Sequence, residues 1–487
     1  MTKKKTISKW RRLDNTANIF PVIASESMSQ VFRVSVTLKK EVRPELLQQA
    51  LEDILPHISN FRVRLRRGLF WYYFEENTKI PVVQKETRYP CRYIDPYSNR
   101  QFLFRVTYYE RRINLEMFHG LTDGMGAADF LKALTCRYLQ LAEGKEGVEF
   151  SGDEKPMFHK FFVEDSYLKN YQNIPHRSYS SRPAYRLEGH YLPVGISQIL
   201  HIYADLKDLK KVCHGHGVSI TKYLAAVVIW SIWQEYLEGK AWDQPVVLNL
   251  PINLRAFFGS DTMANFFAVT MIGCLFKEPD MDFDHLLGIV SRQMDRKIAK
   301  KRLEECISYN VSNEKKWYLR VTPLVIKSIV LKLVFRLKDR AYTMTLSNIG
   351  PVSVDERYQD EIERFHVIIG VSRRQPVKCT VCSYGEEVVI TFASVFSDNH
   401  LQRGFMDKLH EDGISLRVEG NDPSAARKRD MYPRVRKVLV RQKGGEAKAS
   451  RMVKRVGRTG GTIARGTKEY LGGDRDLKEE LKRRLHV

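Results

Sequence analysis

Residues 115–130 read LEMFHGLTDGMGAADF and join the end of a strand to the start of a helix through a histidine turn. The apolar run ending at Phe118 is typical of a buried strand, and residues 126–141 have helical apolar spacing. A histidine at a strand end is held by the sheet while its ring faces a cleft. Its ordinary pKa, roughly 6.5, allows it to accept a proton near neutral pH. His119 is therefore the first candidate for a general base.

Asp123 follows His119 at a spacing of four residues, and Gly124 comes directly after it. From the residues alone, Asp123 either holds the turn or orients the imidazole, and Gly124 permits tight backbone geometry at the helix entry. A histidine and an aspartate at this spacing also occur by chance in many chains. Only the strand before the pair and the helix after it favour a functional interpretation of His119 and Asp123.

The flanking patterns predict an α/β fold in two halves. Around the motif we expect a helix at 43–58 and strands at 30–40, 61–76, 101–109 and 113–118. After a polar, proline-containing stretch, we expect helices at 205–213 and 220–237 and strands at 198–203, 245–250, 342–346, 366–371, 377–382 and 387–393. The helix at 220–237 is apolar nearly all round, which predicts burial.

These patterns divide the chain into five predicted parts. They are a basic N-terminal segment (1–20), an N-terminal lobe (21–165), a crossover linker (166–195), a C-terminal lobe (196–420) and a basic tail (421–487). The basic N-terminal segment has no apolar run behind it, so we expect neither a signal peptide nor a membrane span. The seven cysteines suggest no disulfide framework, and we expect a cytoplasmic protein.

The net charge of +23 belongs largely to the tail, because residues 427–487 hold 20 Lys and Arg against 7 Asp and Glu. Such a tail, poor in apolar residues, is expected to be disordered. Three interpretations of the tail stay open. It is a tether making weak contact with nucleic acid or an anionic membrane, a solubilising extension, or an out-of-frame translation of a different C-terminus.

Three short signals carry less weight. Cys379 and Cys382 form a CxxC, but on a strand their sulfurs face opposite sides, which favours structural cysteines. His214 and His216 lie in a predicted turn without a further ligand cluster, so we expect no metal site. The apolar segment 323–338 is broken by lysines and an arginine. This pattern favours a core helix, with a helix at a membrane surface as the alternative.

Residues 119–124, HGLTDG, match the HxxxDG motif of the chloramphenicol acetyltransferase-like superfamily. Two further landmarks follow in the order of that family. Residues 251–255 (PINLR) with 264–267 (ANFF) resemble its NLR and GN region, and residues 345–352 (TLSNIGPV) resemble its SNxGP stretch. Over residues 20–420 the chain is thus similar to this superfamily, and most similar to bacterial alcohol acetyltransferases and condensation-domain-like proteins.

The resemblance implies a fold and a reaction. The fold is α/β, an α+β sandwich of two lobes, each a mixed sheet with helices, with a tunnel between them. The reaction is transfer of an acyl group, expected to be acetyl, from a CoA thioester to an alcohol or amine in a ternary complex. Acyl-CoA is then a co-substrate, with no permanently bound cofactor and no metal, and the protein is expected to be a monomer without an obligatory protein partner.

The resemblance also assigns roles to residues. His119 is the general base, within a catalytic motif that includes Asp123 and Gly124. Asp123 points away from the substrate and pairs with Arg255 as a structural ion pair. The substrate-binding residues, lining the channel, are Asn265, Ser347 and Asn348.

Two departures from the family bear on function. Condensation domains usually have a second histidine just before the motif, where this chain has Phe118. No carrier-protein serine motif or adenylation segment follows, which favours a stand-alone transferase. The alternative is a catalytically inactive or carrier-protein-dependent condensation-like binding protein, with the basic tail binding nucleic acid or anionic membrane.

Overall fold

A computed structural model describes residues 10–144, 164–174 and 182–423. The strands are β1 Trp10–Arg12, β2 Val31–Leu38, β3 Val63–Arg67, β4 Tyr72–Glu76, β5 Gln84–Lys85, β6 Phe104–Tyr109, β7 Arg112–Phe118, β8 Gln198–Asp205, β9 Val246–Asn253, β10 Phe267–Cys274, β11 Met344–Pro351, β12 Ile362–Ile369, β13 Val377–Tyr384, β14 Glu387–Ser394 and β15 Leu416–Gly420. Nearly all of the predicted tail and part of the predicted linker lie outside the described residues.

The α-helices are α1 Phe20–Ile23, α2 Pro44–Ile54, α3 Gly124–Ala142, α4 Ser166–Lys169, α5 Leu206–Gly215, α6 Ile220–Leu237, α7 Arg255–Phe258, α8 Phe283–Ile298, α9 Lys300–Lys315, α10 Trp317–Val321, α11 Leu324–Lys338, α12 Glu356–Gln359 and α13 His400–Glu411. Short 3₁₀ turns lie at Thr16–Asn18, Asn99–Gln101 and Asp339–Ala341.

The first lobe is built on a five-stranded sheet in the order β12-β2-β7-β6-β5. Its strands are antiparallel except for the β5–β6 pair, so the sheet is mixed. Every residue of β2 is buried because both faces of the strand are covered. Helix α2 begins at Pro44, whose fixed φ suits a first helical position, and packs with α3 over this sheet.

The second lobe is built on a seven-stranded sheet in the order β10-β9-β11-β13-β14-β8-β15. Strand β11 runs parallel to both β9 and β13, and the other pairs are antiparallel. Helix α6 is buried in the core of this lobe, as its uniformly apolar sequence predicts, and packs against α8 and α13. The predicted two-lobed α/β fold with mixed sheets is confirmed.

Two strands belong to sheets other than those expected from the five predicted parts of the chain. Strand β12, from the second half of the chain, pairs with β2 in the first sheet, with His366 opposite Ser35. From the predicted N-terminal segment, β1 pairs with β4 in a separate three-stranded sheet, β1-β4-β3. The guanidinium of Arg11 lies 4.6 Å from the ring centre of Phe74 in that sheet.

No single helix in the described ranges is long and apolar enough to cross a membrane. By length and composition, the pair α5 and α6 passes that test together, with a bend of 82° between the two helices.

Helix α11 differs from the favoured sequence interpretation. It was expected to lie in the core, but in the described structure only Leu324 and Lys327 of its residues are buried. Six aliphatic side chains are exposed instead: Val325, Ile326, Ile329, Val330, Leu333 and Val334. The prediction of a core helix is therefore wrong, because alternation of apolar and basic residues does not reveal whether a neighbour covers the apolar face.

Two buried histidines meet where β12 packs against the second sheet. The rings of His201 and His366 have centroids 4.4 Å apart, and Nε2 of His366 lies 3.0 Å from the hydroxyl of Tyr203. Burial lowers the pKa of His201 to about 3 and holds the pKa of His366 well below its ordinary value. Both imidazoles are therefore neutral in the folded protein at neutral pH.

We expect this pair to make the fold sensitive to acid. In the unfolded chain each imidazole takes up a proton near pH 6.5, whereas the folded state resists protonation. The stabilisation is thus present above pH 6.5 and is lost as pH falls, by up to about 1.4 kcal/mol per pH unit for each histidine. Urea unfolding at pH 7.5, 6.0 and 5.0 measures this slope. His201→Gln should reduce it, and an unchanged slope would contradict the assignment.

Candidate active site

His119 directly follows β7 and is fixed by both backbone and ring contacts. Its N–H donates to the carbonyl of Gln30 at 2.9 Å. The half-buried imidazole stacks on Phe20, with centroids 4.5 Å apart, and has Phe32 and Phe267 at 5.2 and 5.6 Å. Three aromatic rings therefore hold the imidazole in a mostly apolar setting.

This setting affects the protonation of the ring. Burial lowers the pKa of His119 below its ordinary value. The charge of Asp123 and the hydrogen bond with Asn265 oppose this effect and leave the net direction downward. A lowered pKa keeps the imidazole neutral at pH 7, in the form that can accept a proton.

The contact with Asn265 selects one tautomer of the His119 ring. Nδ2 of Asn265 donates to the carboxylate of Asp14 at 3.0 Å, which points the amide Oδ1 at Nδ1 of His119, 3.2 Å away. Since a carbonyl oxygen only accepts, Nδ1 of His119 must carry the hydrogen. The lone pair of the neutral ring is then on Nε2. Asn265 was expected to line the substrate channel, but it is 1% exposed and both ends of its amide are engaged.

Asp14 contacts Asn265 and was not indicated as a site residue by the sequence. It is buried, and its carboxylate accepts from the N–H of Ala17 at 2.8 Å and from the hydroxyl of Thr16 at 3.0 Å, besides Asn265. Burial raises its pKa. No local motif marks an isolated aspartate in a basic segment, and only the tertiary structure brings Asp14 to Asn265, 251 residues away.

Asp123 is turned away from the ring and joins the motif to the second lobe. Its carboxylate caps α3 by accepting from Gly126 N–H at 3.2 Å, and it accepts from Phe266 N–H at 3.0 Å. Arg255 donates to both oxygens, at 2.8 Å from Nη1 and 3.0 Å from Nη2. Arg255 also donates to the carbonyls of Thr262 and Ala264, so the pair organises the loop that leads to Asn265.

Glycines allow close packing around the turn. A Cβ on Gly126 would lie 2.1 Å from Oγ1 of Thr122 and 2.9 Å from the carbonyl oxygen of Met263. A Cβ on Gly124 would lie 3.2 Å from Cδ1 of Ile349. The place of Gly124 in the catalytic motif stays a prediction. The lack of a Cβ at this position lets Ile349 of β11 lie close to the start of α3.

Ser347 and Asn348 lie on β11 beside this approach and are both half-buried. Nδ2 of Asn348 donates to the hydroxyl of Thr221 at 2.9 Å, and its Oδ1 accepts from Gly350 N–H at 2.7 Å. Asn348 also lines an open cleft of about 540 Å³ together with Thr221, Lys222 and Ile349. Asn348 thus borders a space large enough for part of a ligand, next to the motif.

In the part of the chain that the structure describes, cysteines and histidines form no cluster of metal ligands. Within the described ranges, no group of three or more His, Cys, Asp and Glu residues is arranged to hold a metal ion. Cys379 and Cys382 are buried and unpaired, and burial raises the pKa of Cys382 to about 12. A thiol with so high a pKa is a poor nucleophile near neutral pH.

Comparison with solved structures identifies the fold. The chain is similar to F. sporotrichioides TRI101 complexed with coenzyme A and T-2, at 11% identity and a TM-score of 0.56, over 84% of this chain and 100% of that one. The two chains share a two-lobed fold, the fold of the condensation domains and acyltransferases among the similar structures.

Two further structures support the same fold. The starter condensation domain of rhizomide synthetase RzmA, in a mutant form with C8-CoA, is 13% identical with a TM-score of 0.53, over 84% of this chain and 98% of that one. Polyketide synthase associated protein 5 from Mycobacterium tuberculosis is 13% identical with a TM-score of 0.52, over 82% and 96%. No family model matches the sequence, and no curated protein matches it.

Proposed function

We propose that the protein transfers an acyl group, acetyl in the simplest case, from acyl-CoA to an alcohol or amine with His119 as general base. The observation that carries the proposal is the chain of contacts from Asp14 through Asn265 to His119, which leaves Nε2 of a neutral imidazole as the proton acceptor. Similar structures crystallised with coenzyme A or C8-CoA support CoA as the donor.

In the proposed reaction, Nε2 of His119 takes the proton of the acceptor hydroxyl or amine as its oxygen or nitrogen attacks the thioester carbonyl. The tetrahedral intermediate then collapses and the carbon–sulfur bond breaks. The leaving CoA sulfur takes the proton back from the imidazolium, so the enzyme ends in its starting state. Because Nδ1 keeps its hydrogen bond to Asn265 throughout, the ring need not reorient between the two proton transfers.

A donor and acceptor screen tests the proposal. Acyl-CoAs of different chain length are offered with a panel of alcohols and amines, and release of free thiol is measured. We expect release that depends on the acceptor. Transfer from acylated carrier protein but from none of the acyl-CoAs would support the carrier-dependent alternative, and no transfer from any donor would support an inactive binding protein.

The pH dependence of kcat/KM is a second prediction. This parameter reports ionisation of the free enzyme, where the pKa of His119 lies below its ordinary value. Activity should fall at low pH as the base becomes protonated, with a midpoint below roughly 6.5. A pH–rate profile measures the midpoint. A fall in activity with a midpoint above pH 7 would contradict the lowered pKa.

The positioning role of Asn265 is a third prediction. Asn265→Leu keeps the volume but removes the acceptor for Nδ1, so the ring can adopt the tautomer that has hydrogen on Nε2. We expect kcat to fall on the order of 10–100-fold, a part of what a general base contributes. The midpoint of the pH profile should move lower, because the hydrogen bond to Asn265 stabilises the protonated ring.

Asp14 supplies the matched control for this prediction. Asp14→Ala removes the acceptor that orients the Asn265 amide and should reduce kcat in the same way. Asp14→Asn retains an oxygen that can accept from Nδ2 of Asn265 and should retain most of the activity. Equal activity in Asp14→Ala and the unmodified protein would show that the amide needs no support from Asp14.

A further inference from the structure

Helices α10 and α11 carry a surface of exposed apolar side chains. Its aliphatic members on α11 occupy positions 325, 326, 329, 330, 333 and 334, which share one side of the helix at 100° per residue. The side chain at its centre, Ile329, is 66% exposed. Trp317, Tyr318 and Val321 of α10 are also exposed and extend the surface at its N-terminal end.

The charged residues along this segment of the chain are almost all basic. Residues 315–340 contain eight Lys and Arg and a single acidic residue, Asp339, which is buried. Lys316 and Arg320 lie beside the aromatic residues, and Lys332 and Arg336 lie along the border of the aliphatic face, all four exposed. Apolar side chains bordered by cations, with Trp and Tyr at one end, are the composition of helices that lie in the interface of an anionic bilayer.

The opposite side of α11 is attached to the protein body. Leu324 is buried, its N–H donates to the carbonyl of Leu69 at 2.8 Å, and Nζ of Lys327 lies 3.3 Å from the ring centre of Trp71. The helix is therefore held in place from behind with its apolar side outward. Leu69 itself lies in the β3–β4 turn, and its side chain is exposed.

The surface is also connected to the candidate active site. Helix α11 packs against α1, and Phe20 of α1 is the residue stacked on His119. One short helix thus separates the exposed apolar face from the imidazole.

We infer that helices α10 and α11 form a surface that docks on the headgroup region of an anionic lipid bilayer. The aliphatic side chains enter the upper acyl region, Trp317 and Tyr318 lie at the headgroups, and the bordering lysines and arginines contact lipid phosphates. This proposal does not depend on the proposed acyl transfer. Catalysis in solution and docking on lipid are measured separately, so either can fail without the other.

Vesicle sedimentation with the full chain tests the inference. Vesicles of phosphatidylcholine with 30% phosphatidylglycerol are compared for the unmodified protein, Ile326→Asp/Ile329→Asp and a control, Ile80→Asp/Tyr97→Asp. The control replaces two comparably exposed apolar side chains outside the surface and makes the same charge change. We expect Ile326→Asp/Ile329→Asp to bind vesicles at least about tenfold more weakly. It removes two aliphatic side chains that the bilayer would bury, and it adds two negative charges. The control should stay within about twofold.

Binding through the tail, or of a second copy of the chain to this surface, would give different results in the same assay. The basic tail is present in all three proteins, so binding through the tail alone would be equal in both variants and would overturn the proposal. A lipid-free dimer that dissociates in Ile326→Asp/Ile329→Asp would also overturn it, in favour of a second copy. Equal binding to vesicles of phosphatidylcholine alone would contradict the role of the basic border. Circular dichroism checks that the variants, all at exposed positions, remain folded.

Discussion

Replacing His119 by alanine is expected to lower kcat/KM by ~10²–10⁴-fold, the usual contribution of a general base. Stability should change little, because the imidazole is half-buried and its ring is held by aromatic contacts rather than by an ion pair. Acceptor-dependent thiol release measures the activity. Thermal unfolding of the same sample measures the stability.

His410→Ala is the matched control, because His410 is an exposed histidine on α13, outside the described site. It should leave both turnover and melting temperature unchanged. Turnover in His119→Ala similar to that of the unmodified protein would remove His119 from the mechanism, and a collapse of its melting temperature would show a structural role instead.

Asp123→Ala should affect the protein in a different way. Removing the carboxylate leaves the Arg255 guanidinium, whose side chain is 13% exposed, without its ion-pair partner, and it also removes the cap of α3. Loss of one member of a buried pair costs about 3–5 kcal/mol of the free energy of unfolding. Soluble yield, melting temperature and activity should fall together. Urea unfolding measures the loss.

A double-mutant cycle separates the pair from its surroundings. Arg255→Ala should lose a similar amount, and Asp123→Ala/Arg255→Ala should lose less than the sum of the two single variants, because the interaction can be lost only once. Strictly additive losses would show that the carboxylate and the guanidinium do not stabilise each other. Loss of activity without loss of stability would show that Asp123 acts on the reaction directly.

Much of the fold could be predicted because its elements have strong local patterns. Helix α3 after the motif, the buried helix α6 and most of the strands are visible as periodicity. The placement of β12 in the first sheet could not be predicted in this way, because strand pairing over more than 300 residues leaves no local signal. The periodic patterns predicted two α/β halves, and the resemblance to a known fold then implied that these halves form two lobes.

The candidate site was predictable where a motif exists. The HGLTDG stretch indicated His119 and Asp123, and the resemblance suggested Arg255 as the partner that the structure places 2.8 Å from the carboxylate. Asn265 was selected as a residue lining the substrate channel, which stays a prediction, whereas its contact with the ring of His119 at 3.2 Å was not foreseen. Asp14 and Phe20 could not be selected, because both reach His119 only through folding of the N-terminal segment onto the two lobes.

The most direct test of the account is to quantify both products of one reaction. With the best donor and acceptor from the screen, free CoA and acylated acceptor are measured by mass spectrometry over time, and the intact protein is weighed in the same samples. Direct transfer with His119 as base should give equal amounts of CoA and acylated acceptor, no acylated protein, and loss of both products in His119→Ala. Thiol release without acylated acceptor, or a protein carrying the acyl group, would contradict direct transfer with His119 as base.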